Sequence, residues 1–149
     1  MENRNNEVLF YSQDWERTKV FTLSVLPQFD ILITNKYLYL IELPKSLAHD
    51  IGGVMLGVLG QLIATSAEKK AGNKIRSTWL DSNQQLISLE YEKISLLKIP
   101  KEELENSILF KKSFRQKLAI FTYNDKNIYL QNNKTEYERL KTYVESCVL

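Results

Sequence analysis

Short apolar runs separated by turn residues recur along this chain, and this pattern predicts an antiparallel sheet. Apolar and polar residues alternate from Thr18 to Val25, which predicts a half-buried strand that ends before Pro27. Further apolar runs predict strands at residues 30–34, 37–43, 93–99, 107–112, 117–123 and 128–131. Asn35-Lys36 and the stretch from Asn124 to Asn127 are the predicted hairpin turns.

The chain closes with a predicted amphipathic helix. Its apolar residues recur at helical spacing, so one face should pack on the sheet: Tyr137, Leu140, Val144 and Cys147. Thr135 and Glu138 match the Ser/Thr-x-x-Glu capping box, which predicts Thr135 as the N-cap.

A long helix is predicted between the early and the late strands, at about residues 46–71. Ser46 is a suitable N-cap, and Gly72-Asn73 is a suitable stop. The apolar centre, Ile51 to Ala67, is shorter than the ~20 residues that span a bilayer.

Small residues spaced four apart in this helix would let a second helix approach closely. We therefore predict an interaction surface on the helix, formed by Gly53, Val54, Leu56, Gly57, Gly60, Ile63 and Ala64. The alternative is a helix that packs within its own chain, with glycines where the backbones lie close. Either role explains why glycines are present despite a cost of about 1 kcal/mol each.

The remaining segments have weaker patterns. Residues 1–17 are interpreted as an N-terminal arm or short helix, and residues 74–79 as a short strand or loop. Asp81 or Ser82 could cap a small helix that runs through Glu90. A helical turn is predicted over residues 100–106, with Pro100 at its first position.

Composition places the chain among ordinary globular proteins. It has 149 residues, of which 44% are hydrophobic and 26% are charged, so a single domain with a real core is expected. A net charge of +2 gives no argument for nucleic-acid binding. The single cysteine and single histidine exclude an intrachain disulfide framework and a His-rich metal cluster.

Two local patterns resemble bacterial pleckstrin-homology-like and GRAM-like domains. Phe29 to Leu40 reads FDILITNKYLYL and resembles the family's Leu-Thr-Asn-Lys-Arg-Leu hairpin, with Tyr37 where arginine is usual. Ile99 to Ile108 is similar to the family's Ile-Pro-Tyr-x-x-Ile-x-x-Val entry to a later strand. The final hairpin and helix, and the inserted glycine-rich helix, also match positions in the family.

The resemblance covers residues 18–147 and implies an α+β fold in one domain over residues 18–149. That fold is a pleckstrin-homology-like antiparallel barrel of about seven strands, with a C-terminal helix and the inserted helix. Such domains are binding modules for anionic lipids or peptides. The basic loop of the family's lipid-binding eukaryotic members has no counterpart here, since Val25 to Asp30 contains no Lys or Arg.

Two basic clusters are candidate contacts for an anionic surface. The first comprises Lys69, Lys70, Lys74 and Arg76, and the second comprises Lys111, Lys112, Phe114, Arg115 and Lys117. Cations around an apolar wedge suit an anionic membrane, and each can contribute about 1 kcal/mol near the surface. The alternative is a solvated hairpin whose lysines oppose edge-to-edge aggregation.

No set of residues indicates catalysis, and we predict no catalytic, cofactor or metal site. Ser46, His49 and Asp50 are neighbours in sequence, but a hydrolase triad must converge in space and no nucleophile elbow is present. The carboxylates at residues 102, 103 and 105 are interpreted as a solvated turn. Cys147 is interpreted as a packed helix residue.

The sequence thus predicts a non-enzymatic binding module that acts at a membrane surface or on a protein partner. The alternative is a self-assembling structural protein that uses the glycine-rich helix as its oligomer contact. The polar start of the chain lacks the apolar core of a signal peptide, so we expect a cytoplasmic protein, able to bind peripherally at the inner membrane face.

Overall fold

A computed structural model describes residues 7–18, 28–43, 74–83, 85–114 and 116–147 of the chain. These residues form a seven-stranded antiparallel sheet in the order β4-β3-β2-β1-β7-β6-β5. The strands are β1 (Val8–Arg17), β2 (Gln28–Thr34), β3 (Tyr37–Leu43), β4 (Ser95–Pro100), β5 (Ile108–Lys112), β6 (Lys117–Tyr123) and β7 (Lys126–Gln131). The helices are α1 (Glu90–Ile94), α2 (Leu104–Ser107) and α3 (Lys134–Ser146), and a 3-10 turn covers Lys101–Glu103.

The main core lies between one face of the sheet and α3. Every strand contributes to it, and Trp15, Phe29 and Phe121 are among its fully buried side chains. From α3, Tyr137, Leu140 and Val144 join this core. The predicted amphipathic helix is therefore confirmed, along with the α+β class and the sheet of about seven antiparallel strands.

A second core covers the opposite face of β1 to β3. Residues 74–83 and 85–94, which we call the cover segment, lie over this face. Together the two layers bury Tyr11, Leu32, Tyr39, Ile41, Trp79, Leu80 and Tyr91. Strands β2 and β3 are thus buried on both faces, which explains why their sequences are nearly continuous apolar runs.

The predicted strand boundaries agree best where a hairpin turn flanks the strand. The predictions for residues 37–43 and 117–123 match β3 and β6 at both ends. Asn124 and Asp125 form the β6–β7 turn with φ of 51° and 64°, a left-handed conformation that Asn and Asp tolerate.

Several predictions of local structure were wrong. Residues 74–76 are helical and residues 77–79 form a turn, although residues 74–79 were interpreted as a short strand or loop. Residues 8–17 form strand β1 at the centre of the sheet, although residues 1–17 were interpreted as an arm or short helix. The predicted helix from Asp81 to Glu90 is instead an extended loop with a bridge between Leu80 and Leu86, and α1 begins only at Glu90. For β1, the contacts that decide the structure come from β2 and β7, which are distant in sequence.

A further wrong prediction concerns the start of α3. Its N-cap is Asn133, whose Oδ1 accepts a hydrogen bond of 2.8 Å from the backbone N–H of Glu136. Thr135 is already in the first turn, so it does not cap the helix. Two predicted elements lie outside the described residues. They are the strand over residues 18–25, of which only Thr18 is described, and the inserted helix at about 46–71.

Candidate functional site

The most exposed apolar side chain among the described residues is at the tip of the β5–β6 hairpin. Backbone pairing between β5 and β6 extends to Lys112 and Lys117. The turn is closed by a 2.8 Å hydrogen bond from the backbone N–H of Ser113 to the carbonyl oxygen of Gln116. Within it, Phe114 is 98% exposed, so the hairpin presents an aromatic ring to solvent at its outermost point.

Three described lysines lie in the ends of the two strands that flank this turn. Lys111 and Lys112 are exposed, and Lys117 is half-buried opposite Lys112. Lys112 Nζ lies 3.2 Å from Oε1 of Glu138 on α3, but both side chains are more than 40% exposed, so this ion pair is weak. We call Lys111, Lys112, Phe114 and Lys117 the hairpin tip; the predicted member Arg115 lies outside the described residues.

The outer face of the last three strands adds apolar surface beside the hairpin tip. Ile120 pairs with Leu109 on one side and Tyr129 on the other. Leu109 is 56% exposed and Tyr129 is 43% exposed. Leu109 and Tyr129 thus expose apolar surface on either side of Ile120, which is itself buried. Lys111 is two residues from Leu109 and lies on the same face of β5.

The first predicted basic cluster does not form a cationic surface around Arg76. Lys74 is exposed, as predicted, but the side chain of Arg76 is only 8% exposed because it binds two carboxylates. Its assignment as an anionic-surface contact was therefore wrong. Lys69 and Lys70 lie outside the described residues.

Arg76 instead belongs to a buried polar network that the sequence analysis missed. The guanidinium Nε and Nη2 bind the two carboxylate oxygens of Asp30 at 2.5 and 2.7 Å, and Nη2 also lies 3.0 Å from Oδ1 of Asp14. The hydroxyl of Tyr11 donates to Oδ2 of Asp30 at 2.6 Å. Asp30 is fully buried, so this bidentate pairing compensates a carboxylate that has no access to water.

A β-bulge assembles this network. Ser12 pairs with Ile31 and Trp15 pairs with Phe29, so Gln13 and Asp14 together face Asp30. Asp14 has φ of 65°, and its backbone N–H donates to Oδ1 of Asp30.

Burial and the charge of Asp30 raise the pKa of the Tyr11 phenol far above its usual range. Burial lowers the pKa of Arg76, but its bonds to Asp30 outweigh that effect and raise the pKa overall. The sequence signal for this network was an aspartate between Phe29 and the apolar run over residues 31–33.

The predicted interaction helix is outside the described residues, and so is every member of it: Gly53, Val54, Leu56, Gly57, Gly60, Ile63 and Ala64. The same holds for Ser46, His49 and Asp50.

Cys147 is exposed, which corrects its interpretation as a packed residue. Glu102, Glu103 and Glu105 are exposed around the turn that follows β4. Within the described ranges, no group of three or more His, Cys, Asp or Glu residues is placed to hold a metal ion. In the same ranges, no helix combines the length and the apolar character needed to cross a membrane.

Comparisons with known proteins found no match for this chain among protein-family models, curated proteins or solved structures. The resemblance to pleckstrin-homology-like domains therefore stays a prediction.

Proposed function

We propose that this protein is a non-enzymatic binding module that docks peripherally on anionic membranes through the hairpin tip. The observation that carries the proposal is the 98% exposure of Phe114 between flanking lysines. A pleckstrin-homology-like fold is part of the proposal. The order of the seven strands and the C-terminal helix packed on the sheet support it.

The hairpin tip combines the two contributions that peripheral binding needs. Transfer of a phenylalanine side chain out of water stabilises the bound state by about 1.5–3 kcal/mol. Each lysine near an anionic surface adds about 1 kcal/mol, and this part is screened by salt. Phenylalanine is among the apolar residues that interfacial segments bury at the boundary between headgroups and acyl chains. Phe114 would enter that layer while Lys111 and Lys112 contact the headgroups.

A membrane explains the hairpin tip better than a folded protein partner does. The ring of Phe114 projects from a turn and is 98% exposed, so it is not the packed centre of a broad apolar patch. A protein interface usually buries a broad patch with a packed centre. Lipid needs no shape complementarity, so one projecting ring with cations behind it is sufficient.

Co-sedimentation with vesicles tests the proposal. We expect binding to phosphatidylcholine vesicles that contain phosphatidylglycerol, weaker binding at high salt, and little binding to phosphatidylcholine alone. Phe114→Ser should weaken binding by about tenfold or more, from the lost transfer energy. Lys111→Gln combined with Lys112→Gln should weaken binding to a similar extent and make it less sensitive to salt.

Matched controls lie on another part of the molecule. Ile87 is 58% exposed on the cover segment, so Ile87→Ser removes an exposed apolar side chain without changing the hairpin tip. Lys93 is an exposed lysine in α1 and serves as Lys93→Gln. The hairpin tip is not the docking site if Phe114→Ser binds vesicles as tightly as the parent protein does. The same conclusion follows if Ile87→Ser weakens binding as much as Phe114→Ser does.

A further inference from the structure

A cleft lies between β4 and the β6–β7 turn, and the proposed membrane docking does not use it. The cleft has a volume of about 460 Å³, which is within the range of small-molecule sites. The described residues that line it include Tyr37, Leu96, Lys98, Pro100, Tyr123 and Lys126.

Aromatic and aliphatic side chains form the walls of this cleft. Tyr37, at the start of β3, and Tyr123, at the end of β6, both line it and are both half-buried. Leu96 and Pro100, from the two ends of β4, add aliphatic surface. A planar apolar group would therefore find rings and aliphatic carbon on several sides.

Two lysines supply the charge. Lys98 Nζ lies 4.1 Å from the centre of the Tyr37 ring, which holds the ammonium group against the aromatic wall. Lys126 Nζ is 3.4 Å from the carbonyl oxygen of Leu96, a long contact that leaves the other ammonium hydrogens available. None of the described residues that line the cleft is acidic.

We propose that this cleft binds a small aromatic anion, such as an aryl phosphate or an aryl carboxylate. The ring of the ligand lies between Tyr123 and the Tyr37 side of the cleft, and its anionic group pairs with Lys98 and Lys126. This site is separate from the hairpin tip, because its cations come from β4 and β7 and not from β5 and β6.

Amide NMR titrations with phenyl phosphate test the proposal. We expect saturable shifts at Lys98, Tyr123 and Lys126. Inorganic phosphate lacks the ring and benzyl alcohol lacks the charge, so each should bind at least about tenfold more weakly. Combined Lys98→Gln and Lys126→Gln substitutions should weaken phenyl phosphate binding by about tenfold or more, since each removes a charged contact.

The matched control is the Lys111→Gln, Lys112→Gln variant, which removes two lysines from the hairpin tip and should bind phenyl phosphate like the parent protein. Because Lys98 and Lys126 are exposed, their replacement should preserve the amide spectrum of the folded chain. Equal binding by the Lys98, Lys126 variant, or equal binding of inorganic phosphate, would overturn the proposal.

Anionic vesicles form the last arm of the experiment, because a lipid headgroup also carries phosphate. Shifts at the cleft that appear with vesicles but not with phenyl phosphate would assign the lysines to membrane contact and overturn a small-molecule site. Phe114→Ser should leave phenyl phosphate binding unchanged. The experiments therefore distinguish a failure of the proposed ligand site in the cleft from a failure of membrane docking at the hairpin tip.

Discussion

At the scale of single residues, Asp30 shows how a buried carboxylate can be accommodated in an apolar strand. Its oxygens accept hydrogen bonds from Arg76, from the hydroxyl of Tyr11 and from the backbone of Asp14. An unpaired buried carboxylate is strongly unfavourable, so these partners are needed together. Since Arg76 belongs to the cover segment, the same contacts hold that segment on β1 and β2.

Arg76→Leu should therefore destabilise the protein strongly. The substitution leaves Asp30 buried without its cation, at a cost of about 3–5 kcal/mol, measurable by urea denaturation. Lys93→Gln breaks an ion pair with Glu90 whose side chains are both largely exposed, and should cost less than about 1 kcal/mol. Similar losses for the two variants would show that the buried network is not what holds the cover segment.

Tyr91 gives a prediction about alkaline pH. Burial, followed by the charge of Glu92, raises its pKa from 10.0 to about 12. Between these values the unfolded chain releases the phenolic proton while the folded chain keeps it. This contribution to stability is complete below pH 10 and is lost as the pH rises through 12. Between pH 10 and 12, the free energy of unfolding of Tyr91→Phe should therefore fall less than that of the parent protein, as measured by denaturation at each pH. An equal fall in both proteins would contradict the raised pKa of Tyr91.

At the scale of elements, the N-cap of α3 differs from the N-cap that the sequence pattern predicts. The Thr135–Glu138 spacing matches a capping box, yet the N-cap is Asn133, two residues earlier. Asn132 also takes part, since its Nδ2 donates to the carbonyl oxygen of Gln13 on β1. The start of the helix is therefore set by how the end of β7 meets the bulge in β1.

Asn133→Ala should lower the stability by about 1 kcal/mol, because it removes the acceptor for the backbone N–H of Glu136. Thr135→Ala changes an exposed first-turn residue and should have a much smaller effect. Thermal unfolding of the two variants side by side checks this. A larger loss for the threonine variant would mean that the capping box forms after all.

At the scale of the whole molecule, the glycine-rich segment carries the prediction of assembly. Gly57→Leu should disrupt a close helix–helix contact while raising helix propensity, so oligomer size should fall. If the helix instead packs within its own chain, the same change overpacks it and costs about 1–3 kcal/mol. Light scattering and a melting curve on one sample distinguish the two, and unchanged size with lower stability would rule out the assembly contact.

The sequence alone was sufficient for much of the sheet and for the apolar face of α3. Hairpins such as β2–β3 and β6–β7 pair neighbouring segments, so turn residues and local hydrophobic pattern specify them. Val8–Arg17 was missed because its pattern is interrupted: Gln13 and Asp14 form a bulge that breaks the alternation. That strand becomes central only because β2 and β7 both pair with it, which no local pattern records.

The same distinction applies to the candidate sites. Sequence was enough to place Phe114 and its lysines at a hairpin tip, because only residues 113–116 separate the two predicted strands. It could not separate Lys111, which is exposed, from Arg76, which is buried against Asp30. Both are cations in basic runs; only the packing of the cover segment on the sheet brings one of them to a carboxylate 46 residues away in sequence. Charge can be read from sequence, but whether a charge faces solvent depends on long-range contacts that form when the chain folds.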